Sequence, residues 1–336
     1  MILGMCFLIV PAVADDEKEL EFKGLAYGAY RGAGPDQGEQ IVPSNVREDM
    51  TILRNLGCKF IRTYGSGLNQ KIIPGIADEF GITTYIGAWI SSDSSSNNAE
   101  INLAIESSVT SEDIIIVGNE VLLRGDLSKA ELISLFAQVK SQGFQVAYAD
   151  TYGIWLNNPD LADLVDLILA HIYPFWDGQG IENAAEYTIE KFDQVQAAFP
   201  SREIIIGECG WPSDGNSRAT IENQNKYYQE LLPLLFENSI KAFLFSAFDE
   251  DWKSEGGVGP HWGIFKTNRS PKPSATVVAE WFGGTVSTPE TPDTNDDKDD
   301  TEDPDFEILG YPMILVAFIF IVTTVVIYKK RKLRIS

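Results

Sequence analysis

The sequence predicts a (β/α)8 barrel, and three observations lead there. Between residues 23 and 253, eight short runs of strand character alternate with helix-like segments at roughly 30 residues per unit, the repeat of a parallel sheet with helical crossovers. The apolar runs are continuous, as in I-I-I-V at 114–117 and I-I-I at 204–206, which suits strands buried on both faces. The glycine-rich segment 32–38 lacks G-x-G-x-x-G spacing and cannot cradle a phosphate, so closure is favoured over an open doubly wound sheet.

Residues 22–30 form the first strand. A helix at 45–56 follows, with Val46, Met50, Leu53 and Leu56 on one face and Asn45 and Glu48 as a capping box. The second strand, 58–65 (C-K-F-I-R-T-Y-G), precedes a helix at 70–80 that must bend at Pro74. The third strand covers 82–90; the polar run 91–98 reads as a loop and 99–108 as a helix. The fourth strand, 113–121, leads to a helix at 129–142 capped by Ser128 and Glu131. Strands five and six occupy 145–152 and 167–175. A long helix at about 182–199 leads to the seventh strand, 203–210. A helix at 223–237, an eighth strand at 241–248 and a closing helix at 273–281 complete the repeat.

The chain has 336 residues, of which such a barrel occupies about 250. Its formal charge is −23, which argues against nucleic acid, whose phosphates require Lys and Arg, and suits a neutral substrate better than an anionic polymer. Both ends carry targeting signals. Residues 1–14 are apolar, end in Ala12-Val13-Ala14 and are read as a signal peptide, although the usual basic start is missing. The barrel is assigned to 15–284 and an acidic Pro/Thr/Asp linker to 285–307. That linker cannot bury enough apolar surface to fold and reads as a disordered spacer. Residues 308–328 are free of charge and long enough to cross a bilayer, and the tail 329–336 carries five basic groups. By the positive-inside rule the tail is cytoplasmic and the barrel extracellular, on a single-pass membrane helix. With Cys6 in the leader, Cys58 and Cys209 form no disulfide framework. Only His171 and His261 are available as imidazoles, so no metal site and no cofactor are expected.

Active sites of such barrels lie at the C-terminal ends of the strands. Those ends collect Tyr27, Arg31, Arg62, Tyr64, Trp89, Asn119, Glu120, Asp150, His171, Tyr173, Glu208 and the run Asp249-Glu250-Asp251-Trp252-Lys253. Rings that stack on pyranose faces and acids that bind hydroxyls together suit a sugar. A glutamate at a strand end is ordinarily just solvated. Glu120 and Glu208, however, each follow an Ile run and a glycine at equivalent depth, and two carboxylates can cleave a glycosidic bond. Gly207 and Gly210 are read as keeping space clear for a sugar ring. No serine-nucleophile elbow is present, since Tyr64-Gly65-Ser66-Gly67 is not G-x-S-x-G.

With V-G-N-E at 117–120, G-E-C-G-W-P-S at 207–213, F-D-E-D-W-K at 248–253 and I-R-T-Y-G at 61–65, the chain resembles glycoside hydrolase family 17, the β-1,3-glucanases and glucanosyltransferases, over about residues 23–281. The resemblance implies a retaining double displacement with Glu120 as general acid/base and Glu208 as nucleophile. It further implies that Asn119 holds the sugar 2-hydroxyl, that Glu250 and Lys253 flank the nucleophile, and that Tyr27, Tyr64 and Tyr173 line the cleft. In that reading Lys253 favours an ionised Glu208, and Phe175 and Trp176 are acceptor-side aromatics. Two departures stand out: Cys209, where the family often has Thr, is read as a packing residue, and Asp249-Glu250-Asp251 is unusually acidic. The partner implied is a β-glucan. The alternatives are transfer to another glucan at the same site, another β-glucan linkage, or a non-catalytic surface carbohydrate-binding protein.

Overall fold

The computed structural model describes residues 18–110 and 113–286. Eight parallel strands pair in chain order and close as β1 meets β8: β1 (Gly24–Ala26), β2 (Phe60–Arg62), β3 (Thr83–Ala88), β4 (Ile114–Asn119), β5 (Gln145–Thr151), β6 (Leu167–His171), β7 (Glu203–Cys209) and β8 (Ala242–Leu244). Helices carry the chain between them: α1 (Pro43–Asn55), α2 (Ile73–Glu79), α3 (Ser94–Glu106), α4 (Val121–Arg124), α5 (Lys129–Lys140), α6 (Tyr152–Asn157), α7 (Ala184–Ala198), α8 (Ile221–Glu237) and α9 (Pro273–Phe282). The predicted barrel is therefore present. The expected leader, the linker beyond residue 286, the apolar segment 308–328 and the basic tail lie outside the described residues. Among the described residues no helix is long and apolar enough to cross a membrane.

Three local expectations need correction. Helix α1 begins at Pro43 with no side-chain cap, so Asn45 and Glu48 form no capping box. Proline, with fixed φ and no N–H to satisfy, opens the first turn by itself, and Glu48 pairs with Arg31 at 2.7 Å. Pro74 likewise lies in the first turn of α2, after a separate 3-10 turn at Gln70–Ile72, instead of bending a longer helix. The polar run 91–98 is not all loop. Asp93 accepts from the Ser95 amide at 3.0 Å and caps α3, whose first turns expose Ser94, Ser95, Ser96 and Asn98 and bury Asn97. The Ser128/Glu131 capping box is formed.

Apolar side chains divide into two layers. Inside the barrel, Phe22, Phe60, Tyr85 and Phe243 pack at the N-terminal ends of the strands, with Phe22 stacked on Phe60 at 4.4 Å; Ile116, Leu169 and Ile205 lie above them. The larger layer, between strands and helices, includes Ile61, Ile115, Val117, Ile168 and Ile206. At the C-terminal ends of the strands buried polar side chains appear, Arg62, Asn119, Asp150, His171 and Glu208.

One buried polar cluster ties α1 to that end. Asp49 is fully buried and accepts from Tyr27 Oη at 2.9 Å, Arg31 Nη2 at 2.5 Å, and Arg269 Nε and Nη2 at 2.8 and 2.9 Å. Removing the acceptor leaves arginine charge without its counter-ion in the interior. Asp49→Ala is expected to lower unfolding stability by about 3 kcal/mol in urea denaturation, against less than about 0.5 kcal/mol for the exposed pair partner change Glu79→Ala.

Candidate active site

The two Ile-rich strands deliver their acids by the same device. Ile114 and Ile116 face the barrel interior and Ile115 and Val117 face the helices; simple alternation would turn Asn119 outward. The register instead shifts between Ile116 and Asn119 in the β4–β5 pairing, where Gly118 sits at φ 88°. In the β6–β7 pairing, Ala170 faces Ile206 but His171 faces Glu208, so Gly207 is the extra residue. Each glycine acts as a β-bulge that returns the next residue to the barrel mouth. Glu120 then leaves β4 in the left-handed region, φ 54°, ψ 32°, a strained backbone for a non-glycine residue.

Arg62, the last residue of β2, is fully buried at the centre of the mouth. Its Nη2 donates to Asn119 Oδ1 at 2.7 Å; its Nη1 donates to the Gly207 carbonyl at 2.9 Å and stands 3.2 Å from Glu208 Oε1. Nη1 also lies 2.8 Å from His171 Nε2. A guanidinium can only donate, so Nε2 accepts and the ring proton sits on Nδ1. That N–H donates to Glu120 Oε1 at 3.0 Å and stands 3.4 Å from Glu208 Oε2. One oxygen of each glutamate and the imidazole nitrogen lie within 4.8 Å of one another. Tyr64 donates to Glu208 Oε1 at 2.7 Å and Tyr173 to Oε2 at 2.6 Å.

These partners set the charges. Burial alone pushes the Glu208 carboxyl up, but the His171 N–H facing it, the Arg62 charge and the hydrogen bonds from Tyr173 and Tyr64 outweigh it and hold it below the usual carboxylate value. The Tyr64 and Tyr173 hydroxyls move the other way, raised by burial and by the Glu208 charge, so they remain donors. Asp150 is pushed up to about 6, by burial first, against the hydrogen bond from Tyr148 and with help from the charge of Glu120. The Glu120–His171–Glu208 set is also a donor set of metal-binding type, contrary to the expectation from composition. The Nδ1 proton and the Arg62 charge oppose a cation there.

Of the residues singled out from sequence, Glu120, Glu208, Asn119, Tyr64 and Tyr173 come together in this network. Tyr27 does not line the cleft: it is 1 % exposed and its hydroxyl is bound to Asp49. Lys253 forms an ion pair with Glu250 and lies 5.0 Å from the Phe245 ring, so the positive charge that favours ionised Glu208 comes from Arg62, with the Nδ1–H of His171 beside it. Glu250 packs so tightly on Gly28 that a Cβ there would meet its carboxylate at 2.1 Å. The neighbouring acids have their own partners, Asp249 with Lys272 and Asp251 with Thr267, each at 2.7 Å. Phe175 is buried against Trp211 and Trp262, whereas Trp176 is 51 % exposed. Gly207 and Gly210 do not clear space for a sugar. A Cβ at Gly207 would strike His171 at 2.8 Å, and one at Gly210 would strike the Phe245 carbonyl at 2.2 Å. Cys209 is buried in the strand–helix layer.

Arg62 and His171 were visible at strand ends but carried no role in the sequence reading. The available signal was a charged side chain inside the otherwise apolar run F-I-R, which is tolerated in an interior only with several partners.

Residues 24–263 match the family described as the BtgE/BtgC glycoside hydrolase domain. The chain is 29% identical over 249 residues to a glucan 1,3-beta-glucosidase of Schizosaccharomyces pombe, covering 66% of this chain and 77% of that protein. It is 26% identical over 262 residues to the cell surface mannoprotein MP65 of Candida albicans, covering 72% and 66%. Among solved structures it is similar to the glycoside hydrolase family 17 beta-1,3-glucanosyltransferase of Rhizomucor miehei, with TM-score 0.67 and 30% identity over 76% of this chain and 97% of that one. An active-site mutant of that transferase has been solved in complex with laminaritriose.

Two measurements check the electrostatics. Arg62→Met removes an influence that lowers the Glu208 value, so the carboxyl carbon shift of Glu208 should titrate at higher pH than in wild type. Asp150 has a folded value above its unfolded one, so its stabilising contribution is present at low pH and lost as pH rises through about 6. Relative to Asp150→Asn, wild type should gain about 2 kcal/mol of unfolding stability between pH 8 and pH 4.5.

Proposed function

The chain belongs to the BtgE/BtgC glycoside hydrolase domain family, and we propose that it cleaves β-1,3-glucan by a retaining double displacement. One observation supports the mechanism: an oxygen of Glu120 lies within 4.8 Å of an oxygen of Glu208, closer than the gap of about 6.5–9.5 Å that an inverting enzyme keeps between its carboxyl groups for water. Their surroundings differ as two roles require. Glu208 is 4 % exposed, oriented through both oxygens and favoured as the anion, which suits a nucleophile. Glu120 has a side chain 25 % exposed and, among the described residues, one side-chain donor, His171, which leaves it open to a leaving-group oxygen.

In this mechanism a Glu208 oxygen attacks the anomeric carbon while Glu120 gives its proton to the departing glycosidic oxygen. Glu120, now a carboxylate, then takes a proton from the incoming hydroxyl as that oxygen attacks the anomeric carbon and releases Glu208. Arg62 holds Asn119 by Oδ1, so the Nδ2 amide is the end available to a sugar 2-hydroxyl.

Transfer to a second glucan, in place of water, is supported by two observations. The structural relative at 30% identity is named a glucanosyltransferase, and Trp176 stands half exposed beside Trp262, which packs on Tyr173 at 5.2 Å. The apolar segment 308–328 with its basic tail supports anchoring at a cell surface with the barrel outside.

Glu208→Gln should lower kcat on linear β-1,3-glucan by at least about a thousandfold while glucan still binds. Glu120→Gln should spare aryl glucosides with good leaving groups, which need no proton. Products should form with retained anomeric configuration by NMR, and chains longer than the starting oligosaccharide identify transfer. Inverted product, or unchanged turnover in Glu208→Gln, overturns the assignment.

A further inference from the structure

Trp89, directly after β3, is 42 % exposed, yet it is among the most firmly braced side chains at the mouth. The Arg124 guanidinium lies over its ring at 4.5 Å. That guanidinium is itself fixed in plane: Nη2 donates to the Ile90 carbonyl at 2.8 Å, Nε to Asp126 at 2.7 Å, and Nη1 to the carbonyl of Asn119. From the other side Glu100 of α3 gathers three main-chain amides, Ser66 at 2.7 Å, Gly67 at 2.9 Å and Trp89 at 3.2 Å. The loop after β2, which follows Tyr64, and the base of Trp89 are therefore held by one carboxylate.

An indole that is 42 % exposed with a cation over its ring keeps apolar surface available for a ligand to stack on. Bracing lowers the entropy lost when a ligand orders a ring, which is how stacking platforms are built. Arg124 also touches the carbonyl of the residue before Glu120, and its amide donates to the Glu120 carbonyl at 2.9 Å. The platform and the acid therefore share a support.

We propose that Trp89 is a pyranose-stacking subsite on the β3–β4 wall that makes binding depend on glucan length, with Arg124 and Glu100 as its positioning residues. The proposal rests on the carbohydrate-cleaving reading above for its ligand class. Among the described residues the Trp89 side chain makes no hydrogen bond or ion pair with the carboxylate pair, so its loss should change binding of long chains and leave the central subsites intact.

The test titrates the full chain carrying Glu208→Gln, by calorimetry, with linear β-1,3-gluco-oligosaccharides from the disaccharide to the hexasaccharide. Adding Trp89→Ala should weaken hexasaccharide binding by about tenfold and leave the disaccharide within about twofold. Trp89→Phe should restore part of the loss. Arg124→Lys, which keeps charge but not the planar fork, should reproduce part of the length-dependent loss with Trp89 in place. Equal weakening at every length would mean a structural role and overturn the proposal, as would no weakening at all. If wild type releases no sugar from β-1,3-glucan, the function proposed above fails on that result. The same titration with β-1,4-linked and mixed-linkage oligosaccharides then decides Trp89 independently, and absence of binding to all of them overturns it.

Discussion

A single buried guanidinium organises the mouth of this barrel. Arg62 is inaccessible to solvent, and an unpaired charge there would cost several kcal/mol. Every group it meets is consequently constrained: Asn119 by its oxygen, Gly207 by its carbonyl, Glu208 by charge, and His171 by which nitrogen may hold the proton. Only its Nε lacks a partner among the described residues. Because Arg62 comes from β2 and its partners from β4, β6 and β7, one side chain couples strands on opposite sides of the barrel. The imidazole tautomer follows from this contact, and with it the N–H that bridges the two glutamates.

The bulges explain why such a centre can be built from apolar strands. A strand whose alternate residues fill a core cannot present two consecutive polar groups inward without an extra residue. Gly118 and Gly207 supply it, each where a Cβ would collide, with Val121 in one case and His171 in the other. The two patterns are thus geometric instructions: stay buried through the isoleucines and break register at the glycine, which turns Glu208 inward directly in β7 and Asn119 inward in β4, with Glu120 following in the left-handed region. The aromatic layer around Phe22 and Phe243 closes the opposite end, which confines polar chemistry to one face.

The two acids have unequal surroundings. Glu208 has donors at both oxygens and sits deep; among the described residues the Glu120 carboxylate has His171 as its donor, and it reaches solvent. Lys253 pairs with Glu250, and Tyr27, expected to line the cleft, is drawn to Asp49. Both contacts have one cause. In a crowded, partly buried mouth each ionisable or hydroxyl group settles on its nearest opposite partner, and proximity along the chain says little about which partner that is.

The order of strands, the barrel closure and the meeting of Glu120 and Glu208 at one mouth were legible in the sequence, because they depend on apolar periodicity, segment count and a repeated local pattern. Boundaries that depend on short-range chemistry were partly legible: the Ser128 box formed, while Pro43, Pro74 and Asp93 set helix starts that periodicity misplaced. What only the tertiary structure decided is the pairing across the mouth. That Arg62 sets the proton on His171, that Gly207 yields space to that ring, and that Phe175 is core while Trp176 is surface all depend on residues far apart in sequence meeting at set distances. Local pattern determines which face a residue can take. Closure of the barrel determines what stands there to meet it.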